Sequence, residues 1–218
     1  VHPGGQIIVG SGRLETAGDY RMQTPSGTSW AVSSGLLTMT GAGRVVVGGD
    51  FHTDSTVNHT GNLTNGVLEL RGSFTQSNGT GEPPGEHNFH TSENHRVLLT
   101  GPAERTLTFN NPGGTSYFQT LEIATAAQVH HLPSLNVETL RTNGYPLTGG
   151  LRVEHHDWTL VEDATVAGDF FVAGARLLLN GQALTAGGKL VHSRGQIVVG
   201  SGRLETTGDY RIQSPSGT

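Results

Sequence analysis

The sequence predicts an all-β chain wound as a right-handed parallel β-solenoid with protruding loops. Three observations carry that expectation. Gly, Thr, Ser and Asn are abundant, with 33 glycines among 218 residues, while the only lysine is Lys189. A short strand–corner–strand phrase recurs along the chain. The opening stretch also returns almost unchanged near the end, as GQIIVGSGRLETAGDYRMQTPSGT from Gly5 to Thr28 and GQIVVGSGRLETTGDYRIQSPSGT from Gly195 to Thr218.

The composition favours many short strands joined by tight turns, because Gly and the small polar residues serve corners better than helices. The apolar share, 33%, is low for a globular chain and the charged share is 14%. A net charge of -5 without any basic stripe speaks against a nucleic-acid partner. With no cysteine, disulfide frameworks, thiolate nucleophiles and cysteine-ligated metals are excluded. No run of 18 apolar residues occurs, so no membrane insertion is expected of this segment.

The two copies of the opening stretch differ at four places: Ile8/Val198, Ala17/Thr207, Met22/Ile212 and Thr24/Ser214. Val1-His2 recurs as Val191-His192 at the same offset of 190 residues. Self-similarity at a fixed period points to an array. The expected organisation is one complete unit over 1–190 and the first coil of the next over 191–218. The alternative is a single domain whose ends are duplicated hairpins, but that would not require exposed positions such as Arg13, Glu15 and Asp19 to be kept. The chain opens without a methionine and closes in mid-motif, as a segment of something longer would.

The shorter phrase reads LETAGDY at Leu14–Tyr20, VVVGGDF at Val45–Phe51, LELRGSF at Leu68–Phe74, TVAGDF at Thr165–Phe170, LTAGGKL at Leu184–Leu190 and LETTGDY at Leu204–Tyr210. Alternation sends Leu204 and Thr206 to one face and Glu205 to the other. The corner glycines are Gly18, Gly49, Gly72, Gly168, Gly188 and Gly208. They are expected to accept the positive φ of a sharp bend, with the adjoining Asp or Ser bonding the local backbone. Further short apolar runs with their own glycine lie upstream at Leu36–Gly41, Leu177–Gly181 and Ile197–Gly200. Two or three strands per roughly 20 residues is the signature of one solenoid coil. A unit then holds roughly seven to nine coils of about 20 to 28 residues, stacked at about 4.8 Å.

The middle of the chain is less regular. Ser77–His95, with Pro83-Pro84 and little apolar content, is expected to protrude as a loop. Arg96–Phe109 reads as two strands around Gly101-Pro102, and Asn110–Gly114 as a turn. Ser116–Leu132 is the only helix candidate, but its Thr, Ile and Val content favours two strands, YFQTLEI and QVHHL. Val137–Leu140, Leu151–His155 and Trp158–Val161 continue the short-strand rhythm. Tandem β-sandwich domains are the alternative architecture, with Asn65-Gly66 and Asn180-Gly181 as hairpin turns.

On TVAGDF, LNGQALTAGG, and HRVLLTGPAERTLTF followed by SYFQTLEI, the chain resembles the repetitive solenoid regions of giant bacterial secreted or surface proteins. These include the filamentous haemagglutinin-like adhesins and autotransporter passengers. The resemblance implies an extracellular or cell-surface location and a scaffold or adhesive fibre. It transfers no catalytic residue.

Candidate chemistry is sparse. His130-His131 and His155-His156 are adjacent pairs whose side chains diverge on a strand, so each offers one ligand at most to a site. His87, His90 and His95 could converge on a cation only if their segment is a loop. Glu154–Asp157 and Glu162-Asp163 are the nearest approach to the paired carboxylates of a polysaccharide lyase or hydrolase. No cofactor, metal or catalytic residue is assigned, and an enzyme is not expected. The expected function is a structural repeat of a long extracellular filament or surface stalk whose partner is itself. Copies would stack through Ile7, Val9, Leu14 and Tyr20 and their counterparts Ile197, Val199, Leu204 and Tyr210. The alternative is an adhesin touching glycans through Glu82–Asn94 and other loops.

Overall fold

A computed structural model describes residues 1–77, 87–110, 115–126, 129–132, 135–148, 150–154 and 156–213, with 130–132 described by main chain alone. The ordered structure among them is strand, with no α-helix, and nearly every strand pairing is parallel. Three of the expected features lie wholly or partly outside these residues: Pro83-Pro84, most of the turn at 110–114, and His155.

The largest sheet has eleven strands. It runs Arg13–Thr16, Arg44–Val47, Val67–Leu70, Arg96–Leu99, Phe118–Ile123, Val137–Arg141, Trp158–Leu160, Phe170–Leu178, Leu190–Val198 and Tyr210–Ile212, with Leu151–Val153 set beside Phe170–Val172. A five-stranded sheet stacks Tyr20–Met22, Phe51–Thr53, Phe74–Gln76, Arg105–Phe109 and Val129–Leu132. A three-stranded sheet joins Ala164–Val166, Ala183–Ala186 and Arg203–Thr206, and Gly4–Ile8 pairs with Ser34–Thr38. The chain therefore leaves one sheet, enters another, and returns to lie beside its earlier pass. The return takes 31 residues from Arg13 to Arg44 and 20 from Leu177 to Ile197.

This arrangement follows from the alternation in each short strand. Strands such as Phe51–Thr53 and Trp158–Leu160 bury their first and third residues and leave the middle one outside. Parallel in-register pairing then lines like on like. Leu14, Val45, Leu68, Val97, Leu121, Leu140 and Leu160 form one apolar column. Tyr20, Phe51 and Phe74 form another, with ring centroids 5.4 and 5.7 Å apart and planes within 9° of parallel. Among the described residues antiparallel strand pairing, on which a sandwich depends, is confined to one hairpin, Thr24–Ser26 with Ser29–Ala31. The two Asn-Gly pairs, Asn65-Gly66 and Asn180-Gly181, turn the chain between parallel strands and not within hairpins.

The helix candidate resolves into the two strands Phe118–Ile123 and Val129–Leu132. Arg96–Leu99 and Arg105–Phe109 flank the Gly-Pro turn as expected. The loop assigned to Ser77–His95 is corrected over its described part. Asn88, Phe89, Thr91 and His95 are fully buried, because a single aromatic, Phe89, anchors an otherwise polar stretch in the core.

The reason given for the corner glycines also needs correcting. None of Gly18, Gly49, Gly72, Gly168, Gly188 and Gly208 has a positive φ. What demands glycine is the chain's previous pass. A Cβ on Gly49 would run into Gly18 and Asp19, one on Gly72 into Gly49, and one on Gly188 into Asp169. The Gly49 and Gly188 amides donate to the Gly18 and Gly168 carbonyls at 3.1 and 3.0 Å, which fixes that approach. The corner acid likewise binds the backbone of the following pass. Asp19 accepts from the Asp50 amide at 2.9 Å, Asp50 from Ser73 at 2.7 Å and Asp169 from Lys189 at 2.7 Å.

A matched pair of substitutions separates the two explanations. Gly188→Ala should cost about 1–3 kcal/mol, as overpacking does, while Gly18→Ala, whose Cβ meets nothing, should be near neutral. Urea denaturation of both variants checks this. Equal losses at the two positions would contradict close approach as the cause.

One corner is built differently. Arg105 is 1% exposed, and its guanidinium donates to the carbonyls of Leu70 (3.2 Å), Gly101 (2.6 Å), Ala103 (3.1 Å) and Thr100. It holds the wider Thr100–Glu104 corner closed with main-chain acceptors alone, and burial pulls its pKa down.

Candidate stacking interface between repeats

The two copies of the opening stretch let one sequence be compared in two surroundings. Local contacts repeat. Asp19 pairs with Arg21 at 2.7 Å and Asp209 with Arg211 at 2.7 Å; Arg13 pairs with Glu15 and Arg203 with Glu205. The His2 ring lies 3.0 Å from the Gly5 carbonyl and the His192 ring 3.2 Å from that of Gly195. The residues themselves dictate these short-range features.

What differs is which side is covered. The first copy is covered by the strands that follow it: Ile7 pairs with Leu37, Leu14 with Val45 and Tyr20 with Phe51. The second is covered by the strands that precede it: Ile197 pairs with Leu177, Leu204 with Leu184 and Tyr210 with Leu190. Tyr20 is 7% exposed, its hydroxyl 3.0 Å from His2 Nδ1, and burial raises its pKa. Tyr210 is 53% exposed and Ile212 76%. Leu190, His192, Ile197, Val199, Leu204, Thr206 and Tyr210 together line an open, mainly apolar hollow. A smaller hollow opens at the other end, along Ile7–Leu14. Seven of the eight expected stacking residues thus line one or other hollow, while Tyr20 closes against Phe51.

The glycines give the complementary reading. In the second copy, Gly195 sits against the Ala175 carbonyl, Gly202 lies 2.6 Å from that of Gln182 measured at its would-be Cβ, and Gly208 2.9 Å from that of Gly188. Their counterparts Gly5, Gly12 and Gly18 have nothing within 4 Å. Gly5, like Gly195, has a positive φ that already favours glycine, but Gly12 and Gly18 have none, so the first copy keeps two glycines for which its own surroundings provide no use.

The other candidate groups have structural partners. Glu162 accepts from the amide of Asn143 at 2.6 Å and from that of Thr142, while Asp163 accepts from Ala183 at 2.7 Å. The two acids point to opposite neighbours along the stack, and each caps a corner. Asp157 is bound by both the amide and the guanidinium of Arg176 at 2.7 Å, and Glu154 by Arg152 at 2.7 Å. Hydrogen bonds and the charge of Arg176 hold Asp157 below the usual carboxylate range against the opposing effect of its burial.

His87, His90 and His95 do not converge. His90 bonds the Thr115 carbonyl at 2.7 Å, its ring centroid is 6.1 Å from that of His87, and His95 is sealed in the core. Among the described residues no group of three or more His, Asp or Glu is placed to hold a metal. The His130-His131 side chains, His155 and most of Glu82–Asn94 lie outside them. Trp158 is core, whereas Trp30 stands 41% exposed on the hairpin with the Arg21 guanidinium 4.8 Å from its ring centroid. No helix of the described residues is long and apolar enough to cross a membrane.

No family model, curated protein or solved structure matches the chain.

Proposed function

We propose that residues 1–190 form one period of a continuous right-handed parallel β-solenoid, and that the protein is a structural repeat of an extracellular filament or surface stalk. The right hand follows from the strong preference of parallel crossovers for it. The observation that carries the reading is the two-sided mismatch between the copies. Gly12 and Gly18 suit a preceding coil, and Tyr210, Ile212 and Leu204 suit a following one. Each copy supplies what the other lacks. A coil with both neighbours would use its glycines below and its apolar residues above.

Such a column is stiff because every backbone group of an inner coil pairs up and down the stack, and no unit needs its own closed core. Its function is mechanical: it spans distance. The location and the filament role draw support from the repeat and from the resemblance to bacterial surface proteins.

The test is a chain carrying 1–190 twice, followed by 191–218. Electron microscopy should show a rod longer by roughly 40 Å than the parent, of unchanged width, since about eight coils are added at about 4.8 Å each. Two separated globules joined by a thread would overturn the reading.

A further inference from the structure

The two copies also occupy different walls of the stack. In the first, Gly4–Ile8 lies outside the long sheet, Arg13–Thr16 lies within it, and Tyr20–Met22 lies in the five-stranded sheet. In the second, the counterpart of the first segment, 194–198, is the end of a long-sheet strand. Arg203–Thr206 has left that sheet for the three-stranded one. Tyr210–Ile212 pairs with Leu190–His192, the first half of a long strand that, across the register breaks between Val172 and Arg176, belongs with Leu151–Val153 and Phe170–Val172 on a separate wall from Trp158–Leu160 and 196–198. Each segment has advanced by one wall.

The five- and three-stranded sheets belong to the same wall. The Thr148 hydroxyl donates to the carbonyl of Val129, in the last strand of the first, at 3.2 Å. Leu147 then bridges to Val166 in the second, its amide donating to the Thr165 carbonyl at 2.9 Å and its carbonyl accepting from Ala167 at 2.8 Å. That wall therefore begins with Tyr20–Met22 and ends with Arg203–Thr206. The long sheet begins with Arg13–Thr16 and reaches 196–198 eight steps later. The counterpart of Arg13–Thr16 comes one wall further on.

Resting on the continuous-column reading, we propose that a unit spans eight and one-third turns, and that each copy joins the next with a rotation of one wall. The occupant of the open edge at Ile197, Leu204 and Tyr210 is then a second copy of the unit, entering one-third of a turn out of phase. Three units, about 570 residues, restore the phase. Any outward feature is displayed on each side of the column in turn. The hairpin bearing Trp30 would project from a different edge in each of three successive units. A lateral partner that binds one unit would thus meet its site on one given side only at every third unit, roughly 120 Å apart.

The absence of cysteine makes the test direct. A chain with three units is prepared with Thr159→Cys in every unit, since Thr159 lies between the buried Trp158 and Leu160 and faces outward. The thiols are labelled with maleimide gold and imaged. A second version carries Arg13→Cys and Thr159→Cys in one unit only, both in the long sheet, to calibrate the slow twist of that wall. After this correction, the three labels should step about one-third of a turn each. Labels in single file along a rod would overturn the rotation while leaving the continuous column intact. Labels on separate globules would overturn the column itself.

Discussion

Phe74→Ala should destabilise the chain by about 3–5 kcal/mol, the range for emptying a buried phenyl site. The ring has four aromatic neighbours besides its stacking partner's own contacts: Phe51 at 5.7 Å, Phe89 at 4.7 Å, Phe109 at 5.1 Å and Phe118 at 4.8 Å. Its strand is pinned on both sides, by Phe51–Thr53 and by Arg105–Phe109, so the backbone has little room to collapse into the void. The cost should accordingly sit towards the upper end of the range. Total stabilities of ordinary domains are about 5–15 kcal/mol, so the loss is a large fraction of the whole. Urea denaturation of Phe74→Ala and Phe74→Leu measures it, with leucine recovering more than half. A loss below about 1 kcal/mol for alanine would mean that the aromatic column does not bear on stability.

Mild acid should destabilise the chain before its exposed carboxylates titrate. Burial pushes the His59 pKa down to about 4 and that of His95 down to about 3, from an ordinary 6.5. Burial holds His59 neutral against the opposing effect of its bond to the Val57 carbonyl at 3.0 Å; its other ring nitrogen accepts from the Leu37 amide at 3.4 Å, and His2 is the charged-capable group facing it. Neither ring nitrogen of His95 has a partner. Because the folded pKa values are depressed, the unfolded chain binds the extra protons. Stability is therefore whole above pH 6.5, falls as the pH drops below that value, and stops falling only near 4 for His59 and near 3 for His95. At pH 4 each should have cost about 3 kcal/mol. Desolvation pulls His52 and His156 the same way, and the raised pKa of Asp54 opposes them slightly. Circular dichroism between pH 7 and 4 reads the effect. His95→Leu should raise stability at pH 7 by about 1–3 kcal/mol by removing an unsatisfied buried group, and should shift the acid midpoint downward. An unchanged midpoint in that variant would contradict the assignment.

Much of the architecture could be read from the residues, for identifiable reasons. The Leu/Val/Phe alternation names the strands, and the Gly-Asp corner phrase marks where they end. Both signals are local: the alternation holds for Phe51–Thr53, Trp158–Leu160 and Ala183–Ala186, and the corner phrase ends Arg13–Thr16, Arg44–Val47, Ala164–Val166 and Arg203–Thr206. Three features could not be read. The corner glycines were attributed to backbone conformation, whereas the clash that requires them comes from residues about 20 to 31 positions away in sequence. Phe89 reads as loop because a polar neighbourhood hides a single buried group, and nothing in the sequence marks Arg105 as buried; only the packing of strands distant in sequence encloses them. The rotation between copies depends on how many residues each return takes, and that number shortens from 31 to 20 along the chain. Nothing within a single phrase encodes it.

Of the eight expected stacking residues, the exposed edge positions of the second copy matter most, and they lead to the most direct measurement. Amide hydrogen exchange is followed across Arg203–Ile212 in the 218-residue chain and in one extended past Thr218 by the residues that follow Thr28 in the first unit, through a second copy of Phe51–Thr53. If backbone pairing runs on through the junction, these amides should slow by orders of magnitude and approach the protection of Arg44–Val47 and Phe51–Thr53, which are paired on both sides, and Tyr210 should become buried as Tyr20 is. Exchange across 203–212 that stays as fast in the longer chain as in the shorter would contradict the continuous column.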